Sequence, residues 1–369
     1  MEKVVIGMSG GVDSSVAAYL LQKEGYEVIG LFMRNWDSTI NNDELGNPLY
    51  GKEAICTQEQ DYNDAKKVCE ELNIPLHRVD FIKEYWDYVF TYFLDELKLG
   101  RTPNPDLMCN KYIKFDLFIE EAKKLGGEKF ATGHYARIEG NRLLRGADLN
   151  KDQTYFLAQL SPNQLKDVIF PIGHLSKEEV RSIAKENNLS TALKKDSTGI
   201  CFIGERHFQK FLENYLTPNP GNIIDVETKK VIGKHTGLMN YTIGQRKQVG
   251  LSGDEKRHFV CGKNVEDNTL YVTFGDDSDY LYSDECIIDQ VNFISPTTPT
   301  FATAKFRYRG DDHPVELEYL ENDQISVKYR GLAKAVTPGQ ACVLYLGEQC
   351  LGSGIIKTVK KHNEKLWYL

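Results

Sequence analysis

A glycine-rich turn close to the start of the chain constrains the fold more than any other feature. The turn is SGGVDSS, residues 9–15, and it separates a short apolar run at 3–8 from a segment at 16–21 with apolar residues at helical spacing. This order predicts a strand, a tight turn and a helix. Several backbone N–H groups and the helix dipole then converge on one point, which suits a phosphate or pyrophosphate. The plain alternative is a βα turn in which Ser or Asp only caps the helix.

Two common nucleotide-binding motifs are absent from the sequence. The chain contains no GxxxxGK[ST], the motif of the lysine-dependent Walker cradle, and no GxGxxG, the dinucleotide fingerprint. The turn therefore indicates a different nucleotide chemistry.

The first half of the chain alternates between strand-like and helix-like patterns. Further strands are predicted at 27–33, 76–79 and 129–132, and helices at 61–72, 85–97 and 115–125. Ser176, with Glu179 three residues later, predicts a capped helix that ends near Asn187. We therefore expect an α/β fold with a doubly wound parallel sheet. The polar stretch at 35–56 is too long for a routine connection, which indicates a functional or mobile loop.

The second half of the chain has a different pattern. Residues 217–221, TPNPG, break any regular element, and short alternating segments at close spacing follow from Cys286 onward. These segments predict a small antiparallel β-barrel. We place the domains at residues 1–205 for the catalytic α/β domain, 206–280 for a small central domain and 281–369 for the C-terminal barrel.

Composition narrows the functional class. The chain has 369 residues, is 41% hydrophobic and carries a net charge of −8, so indiscriminate binding of polyanions is not expected. Its longest apolar runs are far shorter than a membrane helix, and its first residues lack a signal-peptide pattern. We expect a cytoplasmic protein without a membrane partner. None of the eight cysteines is spaced as CxxC, so free thiols are the default.

Two cysteines have contexts that indicate reactivity. Cys109 follows TPNPD at the expected start of a helix, whose dipole would lower the pKa of the thiol, and Cys201 follows the polar turn KKDSTG. We expect both to be reactive rather than buried. An iron–sulfur cluster held by three scattered cysteines is an alternative that the spacing does not favour. The remaining cysteines are interpreted as core residues: Cys56, Cys69, Cys261, Cys286, Cys342 and Cys350.

A basic segment stands out in this acidic chain. Residues 228–253 contain no acidic side chain but include Lys229, Lys230, Lys234, Arg246 and Lys247. Such a segment fits a phosphate-backbone surface, although a solvated face is the ordinary explanation. At 305–309 (KFRYR), strand alternation predicts three cations on one face and two aromatic rings on the other.

The glycine-rich turn resembles the pyrophosphate loop of the ATP pyrophosphatase superfamily, which includes several synthetases and the tRNA thiolases. This resemblance implies that ATP is cleaved between its α and β phosphates and that Asp13 helps to hold Mg²⁺. Met33 and Gly133 lie at strand ends where such a sheet receives its ligand, although either residue can equally belong to the core. The implied ATP-binding residues are Gly7, Met8, Ser9, Gly10, Gly11, Val12, Asp13, Ser14, Met33 and Gly133.

Seven motifs in order resemble the bacterial tRNA-specific 2-thiouridylase family over nearly the whole chain. They are SGGVDSS, NW, PNPDLMCN, ATGHYAR, KDQTYFL, DSTGICFIG and YTIGQRKQVGL. The resemblance implies transfer of sulfur to C2 of the wobble uridine in tRNAs for Lys, Glu and Gln. It makes Asp13, Cys109 and Cys201 catalytic, with Cys109 as the nucleophile-side thiol and Cys201 as the carrier of a persulfide. A transient Cys109–Cys201 disulfide follows from these roles.

The same resemblance implies the remaining partners. A persulfide donor such as a cysteine desulfurase or a sulfur-relay protein supplies the sulfur, an external reductant resets the cysteines, and no tightly bound organic cofactor is expected. For His134, an ordinary loop histidine is an equally good interpretation. The implied tRNA-contacting residues are Asn104, Pro105, Asp106, His134, Lys151, Asp152, Gln153, Tyr308, Arg309 and Gln340.

Two other functions remain open at this stage. Another enzyme of the same superfamily would form a C–N bond on an adenylated substrate and would need no cysteine pair. A nucleotide-binding module that senses redox state through Cys109 and Cys201 would need no RNA-binding barrel.

Overall fold

The computed structural model describes residues 1–48, 57–196, 203–204, 206–251 and 258–369. The strands are β1 (Lys3–Gly7), β2 (Glu27–Arg34), β3 (Leu76–Asp80), β4 (Lys129–Ala131), β5 (Ala136–Glu139), β6 (Arg142–Arg145), β7 (Val168–Ile169), β8 (Gly221–Asp225), β9 (Val231–His235), β10 (His258–Asn264), β11 (Thr269–Phe274), β12 (Tyr282–Phe293), β13 (Phe301–Lys305), β14 (His313–Tyr319), β15 (Ile325–Lys334), β16 (Ala341–Leu346), β17 (Gln349–Lys361) and β18 (Glu364–Lys365).

The helices lie almost entirely in the first two thirds of the chain. They are α1 (Val12–Lys23), α2 (Thr57–Leu72), α3 (Ile82–Tyr85), α4 (Thr91–Lys98), α5 (Pro105–Met108), α6 (Phe118–Lys124), α7 (Thr154–Leu157), α8 (Pro162–Leu165), α9 (Lys177–Glu186) and α10 (Phe208–Glu213). Two π-helical segments make longer helical rods: Trp86–Phe90 joins α3 to α4, and Cys109–Leu117 joins α5 to α6.

The N-terminal part is built on a parallel sheet in the order β3-β2-β1-β4-β7. Because the chain moves outward from β1 to β3 and then returns to the other side of β1, the strand order reverses between β1 and β4. Ligands of such sheets bind at the carboxyl ends of the strands at this reversal. The glycine-rich turn follows β1 at that point, and the predicted doubly wound α/β fold is confirmed.

Two apolar layers enclose this sheet. One face, with Val4 and Ile6 of β1, packs against a cluster that includes residues of α1, α2 and α9. The other face, with Val5 and Met33, packs against the two helical rods. The capping box that begins α9 is present, because Glu179 N–H donates to Ser176 Oγ and Ser176 N–H donates to the Glu179 carboxylate. This confirms the start of the predicted helix.

The rest of the chain forms two β structures. A small central sheet has the order β10-β11-β8-β9. Six strands, β12-β15-β14-β13-β16-β17, close into an antiparallel barrel because β17 also pairs with β12. The predicted C-terminal barrel is therefore confirmed, while the domain boundaries at 205 and 280 stay predictions.

One sheet connection was not predicted from the sequence. The hairpin β5–β6 leaves the N-terminal part and adds to the barrel, with Leu144 paired to Gln349 and Leu143 to Cys350. Backbone hydrogen bonds therefore join the barrel to the α/β part of the molecule.

The prediction of a cationic strand face at 305–309 is wrong. Strand β13 ends at Lys305, so the alternation does not continue. The Arg307 guanidinium instead turns inward and donates to Ile243 O at 2.7 Å and to Thr337 Oγ1 at 3.2 Å. Burial lowers the pKa of Arg307. Arg307 therefore connects the central part of the chain to the barrel, and its guanidinium does not form part of a phosphate-binding surface.

Across the described ranges, no helix has both the length and the apolar character that a membrane crossing requires.

We expect Arg307→Ala to lower the free energy of unfolding by about 1–3 kcal/mol, because it leaves the carbonyl oxygen of the buried residue Ile243 without the Arg307 donor. Chemical denaturation measures this loss. The control is Arg309→Ala, which removes an exposed guanidinium and should stay within about 0.5 kcal/mol of the wild type. Equal losses in the two variants would contradict the role of Arg307.

Candidate active site

The glycine-rich turn presents the uncapped start of α1. Helix α1 begins at Val12 after Gly11, and no side chain caps it among the residues described. Ser9 and Ser14 instead brace the turn, with Ser9 N–H donating to Ser14 Oγ at 3.2 Å. The first N–H groups of α1 therefore remain available to an anion, and the alternative of a turn that only caps its helix is not supported.

Two glycines of the turn region are required by close backbone approach. Gly10 has φ +71, and a Cβ there would lie 2.2 Å from Asp61 O. A Cβ on Gly133, just after β4, would lie 2.8 Å from the backbone of Asp13 and Ser14. Only glycine at these positions allows α2 and the end of β4 to reach the turn. This packing fixes the shape of the glycine-rich turn.

Asp13 lies at the centre of a hydrogen-bonded ion-pair network. Its carboxylate accepts from Tyr135 Oη at 2.8 Å and from Lys177 Nζ at 2.7 and 2.9 Å. Lys177, nearly buried in the first turn of α9, also pairs with Asp196 at 2.9 Å. One ammonium group therefore joins the glycine-rich turn to the segment at 194–196.

Asp196 is held in its charged form by several cations. Its carboxylate lies 2.8 Å from Lys151 Nζ and 2.7 Å from Arg181 Nη2. Burial raises the pKa of Asp196, but hydrogen bonds and charges from Lys151 and Lys177 outweigh that effect and lower it to about 2. The residue stays ionised at every physiological pH.

Lys194 anchors the same segment to the turn at a second point. Its Nζ donates to Gly10 O at 2.9 Å and to Asp61 at 2.8 Å. The chain that continues towards Cys201 therefore leaves from a position fixed against the glycine-rich turn. Cys201 itself, like Cys56, lies outside the described residues.

Cys109 is completely buried, so the expectation that it is not a buried residue is wrong, while its reactivity stays a prediction. The helical rod begins earlier than Cys109, at Pro105, because the Asn104 side chain caps it by accepting from Asp106 N–H at 3.1 Å. Cys109 therefore lies one turn inside the rod. It shares a buried cluster with Met33 and Trp36 beneath one face of the sheet.

The barrel holds the loop that leads to Cys109. Gln340 Nε2 donates to Thr102 O at 2.7 Å, and Thr102 N–H donates to Pro338 O at 2.9 Å. A Cβ on Gly339 would lie 2.8 Å from Thr102 N. Gln340, a predicted RNA-contacting residue, thus contacts the approach to Cys109 in this structure.

Several other predicted RNA-contacting residues have internal partners. Asp152 is buried and accepts from Gly146 N–H at 3.1 Å, and Gln153 Oε1 accepts from Tyr135 N–H at 2.9 Å. His134 is buried with Nδ1 2.7 Å from Thr132 Oγ1. Burial, followed by the charge of Lys114, lowers the pKa of His134 well below its ordinary value.

Aromatic and basic groups are accessible near the barrel and the central sheet. Tyr308 is half-buried on the ring of Phe156, with centroids 4.4 Å apart, and Arg309 beside it is exposed. The basic surface of the central part consists of exposed side chains, namely Lys229, Lys230, Lys234, Arg246 and Lys247.

The described part of the polar insert packs against the chain that follows the Cys201 segment. Asp43 is buried and pairs with Arg206 at 2.8 Å, and Trp36 Nε1 donates to the same carboxylate at 3.0 Å. Tyr215 Oη donates to Asn41 O at 2.9 Å. Residues 35–48 therefore have defined internal contacts, and the rest of the insert, 49–56, lies outside the described residues.

Sequence reasoning missed Lys177 and Tyr135 as members of the site. Lys177 follows the capping residue Ser176, so its place at the start of a helix was readable, but its partner Asp13 is 164 residues away. Tyr135 lies in the motif ATGHYAR but was not singled out there. Neither residue carries a local pattern that indicates an ion-pair network.

Comparison with known proteins covers the whole chain. Family models described as tRNA methyl transferase HUP domain, tRNA methyl transferase PRC-barrel domain and Aminomethyltransferase beta-barrel domain match residues 2–205, 209–274 and 283–356. The tRNA-specific 2-thiouridylase MnmA of Metamycoplasma arthritidis is 56% identical, with 100% of both chains covered. The same-named protein of Mycoplasmopsis synoviae is 53% identical over 99% of this chain and 98% of that one.

The similarity extends beyond these organisms. The tRNA-specific 2-thiouridylase MnmA of Lysinibacillus sphaericus is 53% identical over 100% of this chain and 97% of that protein. Identity of this level over the full length means that the similarity includes all three parts of the chain. The chain therefore belongs to the tRNA-specific 2-thiouridylase family.

Proposed function

We propose that the protein is a tRNA-uridine 2-sulfurtransferase, which uses ATP to replace the C2 oxygen of the wobble uridine with sulfur. The observation that carries this proposal is full-length identity of 51–56% to relatives named tRNA-specific 2-thiouridylase. The family model that matches residues 2–205 is described as a tRNA methyl transferase domain. We base the proposed reaction on the named relatives instead, because they match all three parts of the chain. The substrates we propose are the tRNAs for Lys, Glu and Gln.

The glycine-rich turn supports ATP binding in this proposal. Residues Gly7 to Ser14 would surround the phosphates, while Met33 and Gly133 lie at the same edge of the sheet. The uncapped N–H groups of α1 and the Lys177 ammonium supply positive charge where pyrophosphate would leave.

Magnesium fits this arrangement as an ion that arrives with the nucleotide. Within the described ranges, no group of three or more His, Cys, Asp or Glu side chains could hold a metal ion. Mg²⁺ needs only one or two carboxylates when phosphate oxygens complete its shell, and Asp13 is the carboxylate in place. The ion would neutralise charge that develops on the phosphates.

Activation by ATP is required because the C2 oxygen of uracil is a poor leaving group. The O2 atom attacks the α-phosphorus, pyrophosphate departs, and O2 becomes part of an adenylate. The terminal sulfur of a persulfide on Cys201 then attacks C2, and AMP leaves. Alternatively, the Cys109 thiolate attacks the Cys201 sulfur of the persulfide, so that hydrosulfide leaves and a Cys109–Cys201 disulfide forms, and the hydrosulfide then attacks C2 in the same way.

Cys109 completes the direct route. Its thiolate attacks the Cys201 sulfur of the C2–S–S–Cys201 linkage, so that the product sulfur leaves as the thiocarbonyl and a Cys109–Cys201 disulfide forms. An external reductant returns both residues to thiols, and a persulfide donor reloads Cys201. Because Cys109 has no accessible surface, the groups that cover it must move before this step.

RNA binding in this proposal uses the basic surface of the central part together with the barrel. The exposed lysines and Arg246 offer contacts to the RNA backbone, and Tyr308 with Arg309 offers stacking and charge at the barrel. Asn104, Pro105 and Asp106 begin the rod that carries Cys109, so they are the residues we assign to the target base. The assigned RNA contacts also include His134, Lys151, Asp152, Gln153 and Gln340.

The two competing functions predict different requirements. A ligase that forms a C–N bond would not depend on a cysteine pair, and a redox-sensing module would not turn over ATP. Neither accounts for a chain whose full length matches the thiouridylases. Turnover and cysteine dependence separate all three experimentally.

Asp13→Asn should reduce tRNA-dependent release of pyrophosphate by at least about 100-fold, because it removes the charge that holds Lys177 and would hold Mg²⁺. A coupled pyrophosphate assay measures this. Asp167→Asn, which alters a carboxylate paired with Lys129 away from the turn, is the control and should retain wild-type release. Normal release in Asp13→Asn would show that the nucleotide site is elsewhere.

Cys201→Ser should abolish 2-thiouridine formation but leave pyrophosphate release largely intact, since adenylation precedes sulfur transfer. Mass spectrometry of nucleosides from bulk tRNA gives the readout in cells that lack the protein and carry each variant. Cys69→Ala is the control, because burial raises the pKa of that thiol to about 12 and leaves it unreactive. Restoration of 2-thiouridine by Cys201→Ser would defeat the assigned role.

The double variant Arg246→Gln/Lys247→Gln should bind tRNA more weakly, and the slope of log K against log salt should fall by about 1–2. Filter binding across a salt series measures both quantities. Lys83→Gln/Lys98→Gln removes the same charge from exposed lysines that pair with Asp87 and Asp95. Indistinguishable slopes in the two double variants would remove the basic surface from the RNA contact.

A further inference from the structure

Asn110, the residue after Cys109, has a buried side chain with one unused hydrogen-bonding atom. Only 2% of the residue is exposed. Its Nδ2 donates to Phe156 O at 3.0 Å, while Oδ1 has no partner among the residues that the structure describes. Leaving a buried amide oxygen without a donor is unfavourable, so this atom is poised to accept a hydrogen bond.

The orientation of this amide is fixed. A rotation that exchanged the two amide atoms would place Oδ1 against the carbonyl oxygen of Phe156, and two acceptors repel each other. Asn110 therefore presents an acceptor and not a donor, one residue after Cys109 in the rod. A ligand that satisfies it must bring a hydrogen-bond donor.

Phe156 links this amide to the proposed RNA-contacting region. Its carbonyl holds Asn110, and its ring packs on Tyr308 at 4.4 Å between centroids. Gln164 Nε2 also donates to Lys111 O at 2.7 Å, which fixes the backbone next to Asn110. The acceptor thus belongs to the rod that carries Cys109, and its amide is fixed against Phe156, whose ring contacts Tyr308.

Uracil carries the required donor at the right place in the ring. Its N3–H is bonded to C2, the atom that receives sulfur. Cytosine has the same C2 carbonyl but an unprotonated N3, which is an acceptor. A site with a fixed acceptor at this position therefore favours uracil, because cytosine would leave two acceptors opposed.

We propose that Asn110 is a specificity-determining residue whose Oδ1 accepts a hydrogen bond from N3–H of the target uracil. This inference rests on the proposed function, because it names how the same site selects its base. The contact turns the base so that its N3 side faces the rod, and it discriminates against cytosine at the wobble position.

Binding of anticodon stem–loops tests this assignment without dependence on the chemical steps. Two stem–loops are compared that are identical except for uridine or cytidine at the wobble position. For wild type we expect uridine to bind at least about 10-fold more tightly. In Asn110→Ala, binding of the uridine stem–loop should weaken by about that factor while cytidine changes less than about 2-fold, so that the preference disappears.

Asn240→Ala is the matched control. Asn240 lies in the central part, and its Nδ2 donates to Thr236 Oγ1 at 3.1 Å. Its Oδ1 is also buried and has no partner in the described part of the chain. This variant should keep the preference for uridine. An equal loss of affinity for both stem–loops in Asn110→Ala, or an unchanged preference for uridine in that variant, would overturn the inference.

A substrate-side comparison keeps the test decisive if Asn110→Ala does not fold. Wild-type protein should bind a stem–loop with wobble 3-methyluridine, which lacks the donor, at least about 10-fold more weakly than one with 5-methyluridine, which retains it. Equal binding would overturn the inference. Thiolation of an unmodified tRNA by the wild-type protein tests the proposed function separately. The proposed function and the role of Asn110 can therefore fail independently.

Discussion

The candidate site depends on a cation, Lys177, that two carboxylates from distant parts of the chain share. Its ammonium group is almost buried and lies between two carboxylates, Asp13 of the glycine-rich turn and Asp196 of the segment that leads towards Cys201. A charge in such a position is stable only when it is paired, because its loss of hydration is large. The turn and the 194–196 segment therefore form one electrostatic unit. In the proposed function, phosphate groups that enter the turn would compete for the same ammonium, so nucleotide binding would weaken one of the contacts that hold that segment.

Local patterns predicted local structure well. The strand before the glycine-rich turn, α1 after it and the capping box at Ser176 all depend on residues within a few positions of one another, and all are confirmed. The barrel was also predicted, because each of its strands has its own alternation. The attachment of β5–β6 to β17 was not, since edge pairing between segments about 200 residues apart leaves no mark in either one.

The two errors have a common physical origin. Both interpretations rest on neighbours in sequence. Arg307 is interpreted as a strand cation, and Cys109 as a residue at the start of a helix. In the structure β13 ends before Arg307, which lets the guanidinium turn inward, and the Asn104 cap starts the rod before Cys109, which turns the thiol into the core. A shift of only a few residues in an element boundary changes which way a side chain points, because helices and strands have short periods.

Contacts between the barrel and the approach to Cys109 have a mechanical consequence. Pro338 O, Gly339 and Gln340 hold Thr102 by two hydrogen bonds and a backbone approach that only glycine permits. The barrel loop therefore cannot shift without moving Thr102 or breaking these bonds. Thr102 lies two residues before the Asn104 cap, so the same displacement reaches the start of the rod. The proposed reaction requires Cys109 to be uncovered, and an RNA that moved the barrel loop would act directly on the element that buries the thiol.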